Sequence, residues 1–152
     1  MKGQTTKRKV NLIIVHCSDT YARMNISVDE IRRWHVQERG WSDIGYHFVI
    51  RRDGTVQTGR DIDHDGDIFE EIGAHIEGYN KNSIGICLVG GKADNGKPEN
   101  NFTEKQFRSL ETLLRVIKVD YSKATIHGHR EFNSAKACPS FDVQEWLKGK
   151  NL

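Results

Sequence analysis

Seven histidines and three cysteines offer this chain its clearest chemistry. His16 closes the apolar run Leu12-Ile13-Ile14-Val15, with Cys17 and Ser18 beside it. An imidazole at the mouth of a buried strand can ligate a metal, although a lone histidine there is more often hydrogen-bonded packing. Far along the chain stand His127-Gly128-His129-Arg130-Glu131 and Ala135-Lys136-Ala137-Cys138-Pro139-Ser140. A cysteine in a polar loop before proline is a poor candidate for core packing. Imidazole plus thiolate is a zinc donor set, and three protein ligands leave a fourth position open for water. His16, one of His127 or His129, and Cys138 would make such a set. The spacing is long-range, and no Cys-x-x-Cys or His-Glu-x-x-His motif is present. From the residues alone, a metal site and ordinary packing both stand.

A second group of potential ligands reads differently. Asp61-Ile62-Asp63-His64-Asp65-Gly66-Asp67 resembles the opening of an EF-hand calcium loop, but Ile72 occupies the position that needs a bidentate glutamate. No paired helices flank it. The stretch reads as a solvated acidic insertion.

The elements that must position these residues follow from pattern. Asn11 to His16 reads as a buried strand. In a strand, successive side chains face opposite ways, so His16 and Cys17 cannot both enter one site. Ser27 to Arg39 reads as a helix, opened by the Ser27/Glu30 capping box and ended at Gly40. Tyr46–Arg51 and Thr55–Thr58 read as a hairpin turning at Asp53-Gly54, where glycine tolerates a positive φ. Ser83 to Val89 is another buried strand, followed by a polar loop from Lys92 to Asn101. Thr103 to Val119 is the clearest helix, with a Thr103/Gln106 box, a Phe102–Phe107 staple and a stripe of Phe107, Leu110, Leu113, Leu114 and Ile117. Lys123 to His127 reads as a strand. Asp142 caps a last short helix, with Glu145 closing the box and Phe141 stapled to Trp146. The alternation predicts a mixed α/β fold: one domain with a central, mostly parallel mixed sheet flanked by about three helices.

Composition bounds the rest. A chain of 152 residues fits one domain, here residues 11–152 after a flexible basic tail, 1–10, that includes Lys7-Arg8-Lys9. The net charge of +2 is too even to suggest nucleic-acid binding. Three widely spaced cysteines argue against a disulfide framework and fit a reducing compartment of synthesis. The first residues do not read as a signal peptide, and the longest apolar run, Leu12 to Val15, cannot span a membrane.

A run of short stretches, taken in order, carries a resemblance. They are Val15-His16-Cys17-Ser18, Ile31-Arg32-Arg33-Trp34-His35, Gly45-Tyr46-His47-Phe48, Arg52-Asp53-Gly54-Thr55-Val56 and Gly59-Arg60. Then come Gly73-Ala74-His75, Gly78-Tyr79-Asn80, Asn82-Ser83-Ile84-Gly85, Leu88-Val89-Gly90-Gly91 and Lys136-Ala137-Cys138-Pro139-Ser140-Phe141-Asp142. Together they resemble the zinc N-acetylmuramoyl-L-alanine amidases, a family that includes phage lysozymes of the amidase type and the peptidoglycan recognition proteins. The resemblance spans roughly Leu12 to Leu147.

It implies a peptidoglycan hydrolase, an endolysin, that cuts the amide bond between N-acetylmuramic acid and L-alanine with zinc-activated water. It implies one zinc ion on His16, His129 and Cys138. The family motif places this ligand directly after a small residue and two before a glutamate, which ranks His129, between Gly128 and Glu131, above His127. By the same resemblance, Tyr46 and Lys136 are the catalytic non-ligands, and His75 contacts substrate. His47 reads as core packing; His35 and His64 receive no role; Cys17 and Cys87 read as small buried residues. The acidic stretch from Asp61 to Asp67 looks longer than the corresponding loop of the phage relatives.

The implied setting is synthesis in a host cytoplasm, with access to the wall given by a membrane-permeabilising partner. A monomer without membrane insertion is expected. Three other readings compete. One is a Cys–His hydrolase with Cys138 as nucleophile and His129 as base. Another is a module that binds peptidoglycan without cutting it, against which the presence of Cys138 argues. The third, from resemblance alone, is a regulator that binds an RNA polymerase.

Overall fold

The computed structural model describes residues 8–152. In chain order its elements are β1 (Leu12–Cys17), β2 (Thr20–Tyr21), α1 (Val28–Arg33), β3 (Phe48–Ile50), β4 (Val56–Thr58), β5 (Ser83–Leu88), β6 (Gly91–Lys92), α2 (Glu104–Asp120), β7 (Thr125–Gly128) and α3 (Val143–Leu147). A strand that is apolar on both faces belongs in the middle of a covered sheet. β1 and β5 are such strands: Ile13, Ile14 and Val15, and Ile84, Ile86 and Leu88, are completely buried. They pair in parallel, and the five-stranded sheet runs β4-β3-β5-β1-β7. β3 and β7 also run parallel to their inner neighbours, and only β4 is antiparallel. β2 and β6 form a separate parallel pair. The expected mostly parallel sheet with three helices is the fold observed.

The two faces of the sheet carry different cargo. Ile13, Val15, Phe48, Ile50, Ile84, Ile86 and Leu88 pack beneath Leu110, Leu114 and Ile117 of α2 and Val143 of α3. Val49, Cys87 and Val89 face the other way, against Val28 and Ile31 of α1. His16 stands in register with Cys87. It therefore points to the α1 face, while Val15 and Cys17 turn away from it.

Most local signals hold. The Ser27/Glu30 and Thr103/Gln106 boxes both form, and the hairpin turns at Asp53-Gly54 with Arg51 and Thr55 bonded across it. Three differ. The first helix is α-helical only over Val28–Arg33 and then widens into a π turn, Trp34–Glu38, before Gly40 at φ +71°. At α3, Asp142 accepts the Glu145 N–H, but the Glu145 carboxylate pairs with Lys148 Nζ at 2.8 Å instead of closing the box.

The basic terminus is the third. Arg8 donates from Nε to Phe69 O, from Nη1 to Lys81 O and from Nη2 to Ser83 O. A guanidinium offers five donors in a fixed fork, and three carbonyls, one at Phe69 and two at the entry of β5, each accept from it. Val10 is buried. From Arg8 onward the expected loose tail is therefore docked; Lys7 and the residues before it lie outside the described residues.

Candidate active site

Strand β1 delivers His16 to the C-terminal edge of the sheet, where its ring is 1% exposed. Strand β7 ends beside it, and the chain turns at once through a single 3₁₀ turn, His129–Glu131. The Glu131 carboxylate holds that turn by accepting the Gly128 N–H at 2.7 Å. It also engages His127 Nδ1 at 2.9 Å, while His127 Nε2 meets Thr125 Oγ1 at 2.8 Å. His127 is thus spent at the sheet edge. His129 swings to His16, with 4.7 Å between ring centroids. The loop after it returns to β1: Cys138 O accepts the Arg130 N–H, and Cys138 Sγ accepts the Cys17 N–H at 3.1 Å. His16 Nδ1 lies 3.8 Å from Cys138 Sγ. One ligand atom each from His16, His129 and Cys138 lies within 4.8 Å of the other two.

Burial holds His16 well below the usual imidazole range, reinforced by the neighbouring His129 and His47. Burial also lowers His129, with the Lys136 ammonium adding to it. Both rings are neutral and keep a lone pair for a ligand. The contact with the Cys17 thiol, and then burial, push the Cys138 thiol well above its ordinary value. Such a thiol would release its proton to solvent when a bound metal cation stabilises the thiolate. Two neutral imidazoles and a cysteine converging at a cleft floor suit zinc, which takes nitrogen and sulfur donors.

The floor opens into a cleft of about 470 Å³ lined by His16, Tyr46, His75, His129, Lys136 and Cys138 among others. A second hollow of similar volume continues it past Trp41, Asn80, Phe132 and Asn133. His75, His129 and Lys136 line both. Tyr46 stacks at a tilt beside His16, 5.1 Å between centroids. Burial raises its phenol well above the usual range, so the hydroxyl keeps its proton. Gly45 makes this placement possible: a Cβ there would lie 2.2 Å from Ala74 O, so the Gly-Tyr-His and Gly-Ala-His segments dock backbone to backbone. Lys136 is exposed on a turn closed by its N–H to Asn133 O at 3.0 Å.

His75 is 9% exposed and sits under His16, with both ring nitrogens engaged. His47 is fully buried, donating from Nε2 to Glu71 O and accepting the Gly85 N–H at Nδ1, in agreement with its reading as packing. His35, given no role from sequence, lines the cleft; its Nδ1 accepts the Gly45 N–H at 2.9 Å, and its ring leans on Trp41 and Tyr46. The acidic stretch folds on itself through bonds such as Gly66 N–H to Asp61 Oδ2, and residues 62–66 are exposed.

Residues 6–141 match the N-acetylmuramoyl-L-alanine amidase family. The chain belongs to that family. The endolysin of Klebsiella phage KP32 is 49% identical to it over 152 residues, covering 99% of this chain and 95% of the relative. Among solved structures, the N-acetylmuramoyl-L-alanine amidase LysC from Clostridium intestinale superposes with a TM-score of 0.75 at 29% identity, over 96% of this chain and 87% of that one. A complex of the peptidoglycan recognition proteins LCa and LCx with bound tracheal cytotoxin matches at TM-score 0.68 and 26% identity, over 95% and 84%. In this amidase the His16, His129 and Cys138 donors lie in one cleft whose lining also includes Lys136.

Proposed function

We propose that this peptidoglycan amidase cuts the bond between N-acetylmuramic acid and the L-alanine of the stem peptide with one zinc ion held by His16, His129 and Cys138. The observation that carries the reading is the convergence of those three donors at the floor of the cleft. When bound, zinc supplies a Lewis acid for the carbonyl and acidifies a water. The chain's own groups do the rest. Tyr46, protonated and beside His16, orients the attacking water and hands on a proton. Lys136, at the rim of both hollows, donates to the oxyanion that develops as the carbonyl becomes tetrahedral. The two hollows meet at His75, His129 and Lys136, which suits a substrate with sugar on one side of the scissile bond and peptide on the other. The tracheal cytotoxin complex among the fold relatives supports a muropeptide ligand. The likeness to a phage endolysin supports a lytic enzyme made in the host cytoplasm and passed to the wall by a membrane-permeabilising partner.

The test is the product. Digestion of purified peptidoglycan should release stem peptides with a new N-terminal alanine and no new reducing sugar ends. Lys136→Ala should slow that release by about 10²–10³-fold while retaining zinc. New reducing ends, or a Lys136→Ala enzyme of undiminished rate, would contradict the assignment.

A further inference from the structure

Strand β5 presents Ser83, Gly85 and Cys87 on the face that carries His16. Ser83 and Gly85 are unusual in a run that is otherwise apolar and fully buried. Together they form a slot, and the ring of His75 fills it. A Cβ on Gly85 would stand 2.6 Å from His75 Cγ and Nδ1, and one on Gly73 would stand 2.7 Å from His75 Cδ2. The backbone is fixed as well: Asn80 Oδ1 accepts the N–H groups of His75 and Ile76, each at 2.9 Å.

Inside this slot the ring links two groups. His75 Nδ1 lies 2.8 Å from His16 Nε2, and His75 Nε2 lies 3.1 Å from Ser83 Oγ. His16 turns its other nitrogen, Nδ1, toward Cys138. A neutral imidazole that offers Nδ1 as a ligand carries its proton on Nε2. That Nε2–H then donates to His75 Nδ1. The His75 proton is thereby placed on its own Nε2, which donates to Ser83 Oγ. Every partner on the line has one role, and neither His75 nitrogen is left for a substrate.

We propose that His75 is a positioning residue that fixes the ring and tautomer of His16, with Ser83 and Gly85 as its seat, and that it does not contact substrate through its nitrogens. This assignment replaces the substrate-contact role that the sequence resemblance implies, and it rests on the zinc reading above. Partners of this kind behind a metal-bound histidine contribute about 10–100-fold to metal affinity.

The experiment measures zinc affinity by chelator competition, without substrate, for wild type, His75→Ala, His75→Asn and Ser83→Ala. Urea unfolding of each metal-free protein reports folding. His75→Ala should bind zinc about 10–100-fold more weakly. His75→Asn, whose amide oxygen can take the place of Nδ1, should recover most of that loss. Ser83→Ala, which leaves the imidazole in place, should weaken zinc by a few-fold and keeps the test open if His75→Ala does not fold. The absorption of the cobalt-loaded protein should shift in His75→Ala and return toward wild type in His75→Asn. Equal zinc affinity in all four proteins, with only KM raised in the His75 variants, would overturn the inference. A wild type that binds no zinc would instead overturn the zinc reading and this inference with it.

Discussion

Among the described residues lie three groups of potential metal ligands, and two of them, one at the cleft floor and one in the acidic stretch, are built in opposite ways. His16, His129 and Cys138 are brought together from β1, from the turn after β7 and from the loop beyond it. Asp61, Asp63 and Asp65 come from five consecutive residues, and their oxygens also lie within 4.8 Å of one another. Proximity alone does not separate the two. What separates them is what holds each donor. His16 is buried and backed by His75, and Cys138 accepts the Cys17 N–H. In the acidic stretch the carboxylates mostly accept neighbouring backbone N–H groups, as Asp63 does from Asp65 and Asp65 from Asp67, and Asp63 and Asp65 are exposed. The first group is assembled by the whole fold; the second is assembled by its own loop.

The contrast can be pressed from the buried side first. Burial lowers His35 to about 4, helped by the Arg39 and Arg60 cations, and lowers His47 to about 3. Unfolded, each titrates near 6.5. Between those values the unfolded chain binds protons that the native state refuses, so stability is full above about pH 6.5 and falls as pH drops toward 3. Urea midpoints of the metal-free protein should therefore decline steadily from pH 7 to pH 4. A flat profile would mean that these rings protonate without cost in the fold.

Pressed from the exposed side, the effect should be the smallest. Asp63→Asn with Asp65→Asn should leave zinc content unchanged and wall clearing within about twofold, because Asp63 and Asp65 are exposed and salt screens surface charges. A large loss in that double variant, measured by turbidity of cell walls, would make the acidic loop part of the working site.

The sequence made part of this contrast legible. A β-rich apolar run ending in histidine placed His16 at a strand end, whereas pattern left His127 and His129 open and only the family motif, a small residue before the ligand and a glutamate two after it, separated them and ranked His129 first. The structure supplies the physical reason for that separation, since Glu131 both caps the turn that carries His129 and captures His127. Family resemblance, more than pattern, picked out Tyr46 and Lys136. The seat of His75 was harder to read. It depends on β1 and β5 pairing so that Leu12 meets Ser83 and His16 meets Cys87, and no local window contains that register. The faint signal was a serine and a glycine two apart in an otherwise apolar strand. The π turn that carries His35 left no mark in the helical periodicity, and the docking of Arg8 depends on carbonyls as distant as Ser83.

The proposal to be tested first is that the amidase needs one zinc ion held by His16, His129 and Cys138. The most direct measurement is the zinc content of the purified protein, taken alongside wall clearing, for wild type before and after chelation and for Cys138→Ser. The account predicts about one zinc per chain in wild type, clearing lost on chelation and restored by added zinc, and neither zinc nor clearing at normal levels in Cys138→Ser. A metal-free wild type that clears walls at full rate would contradict it.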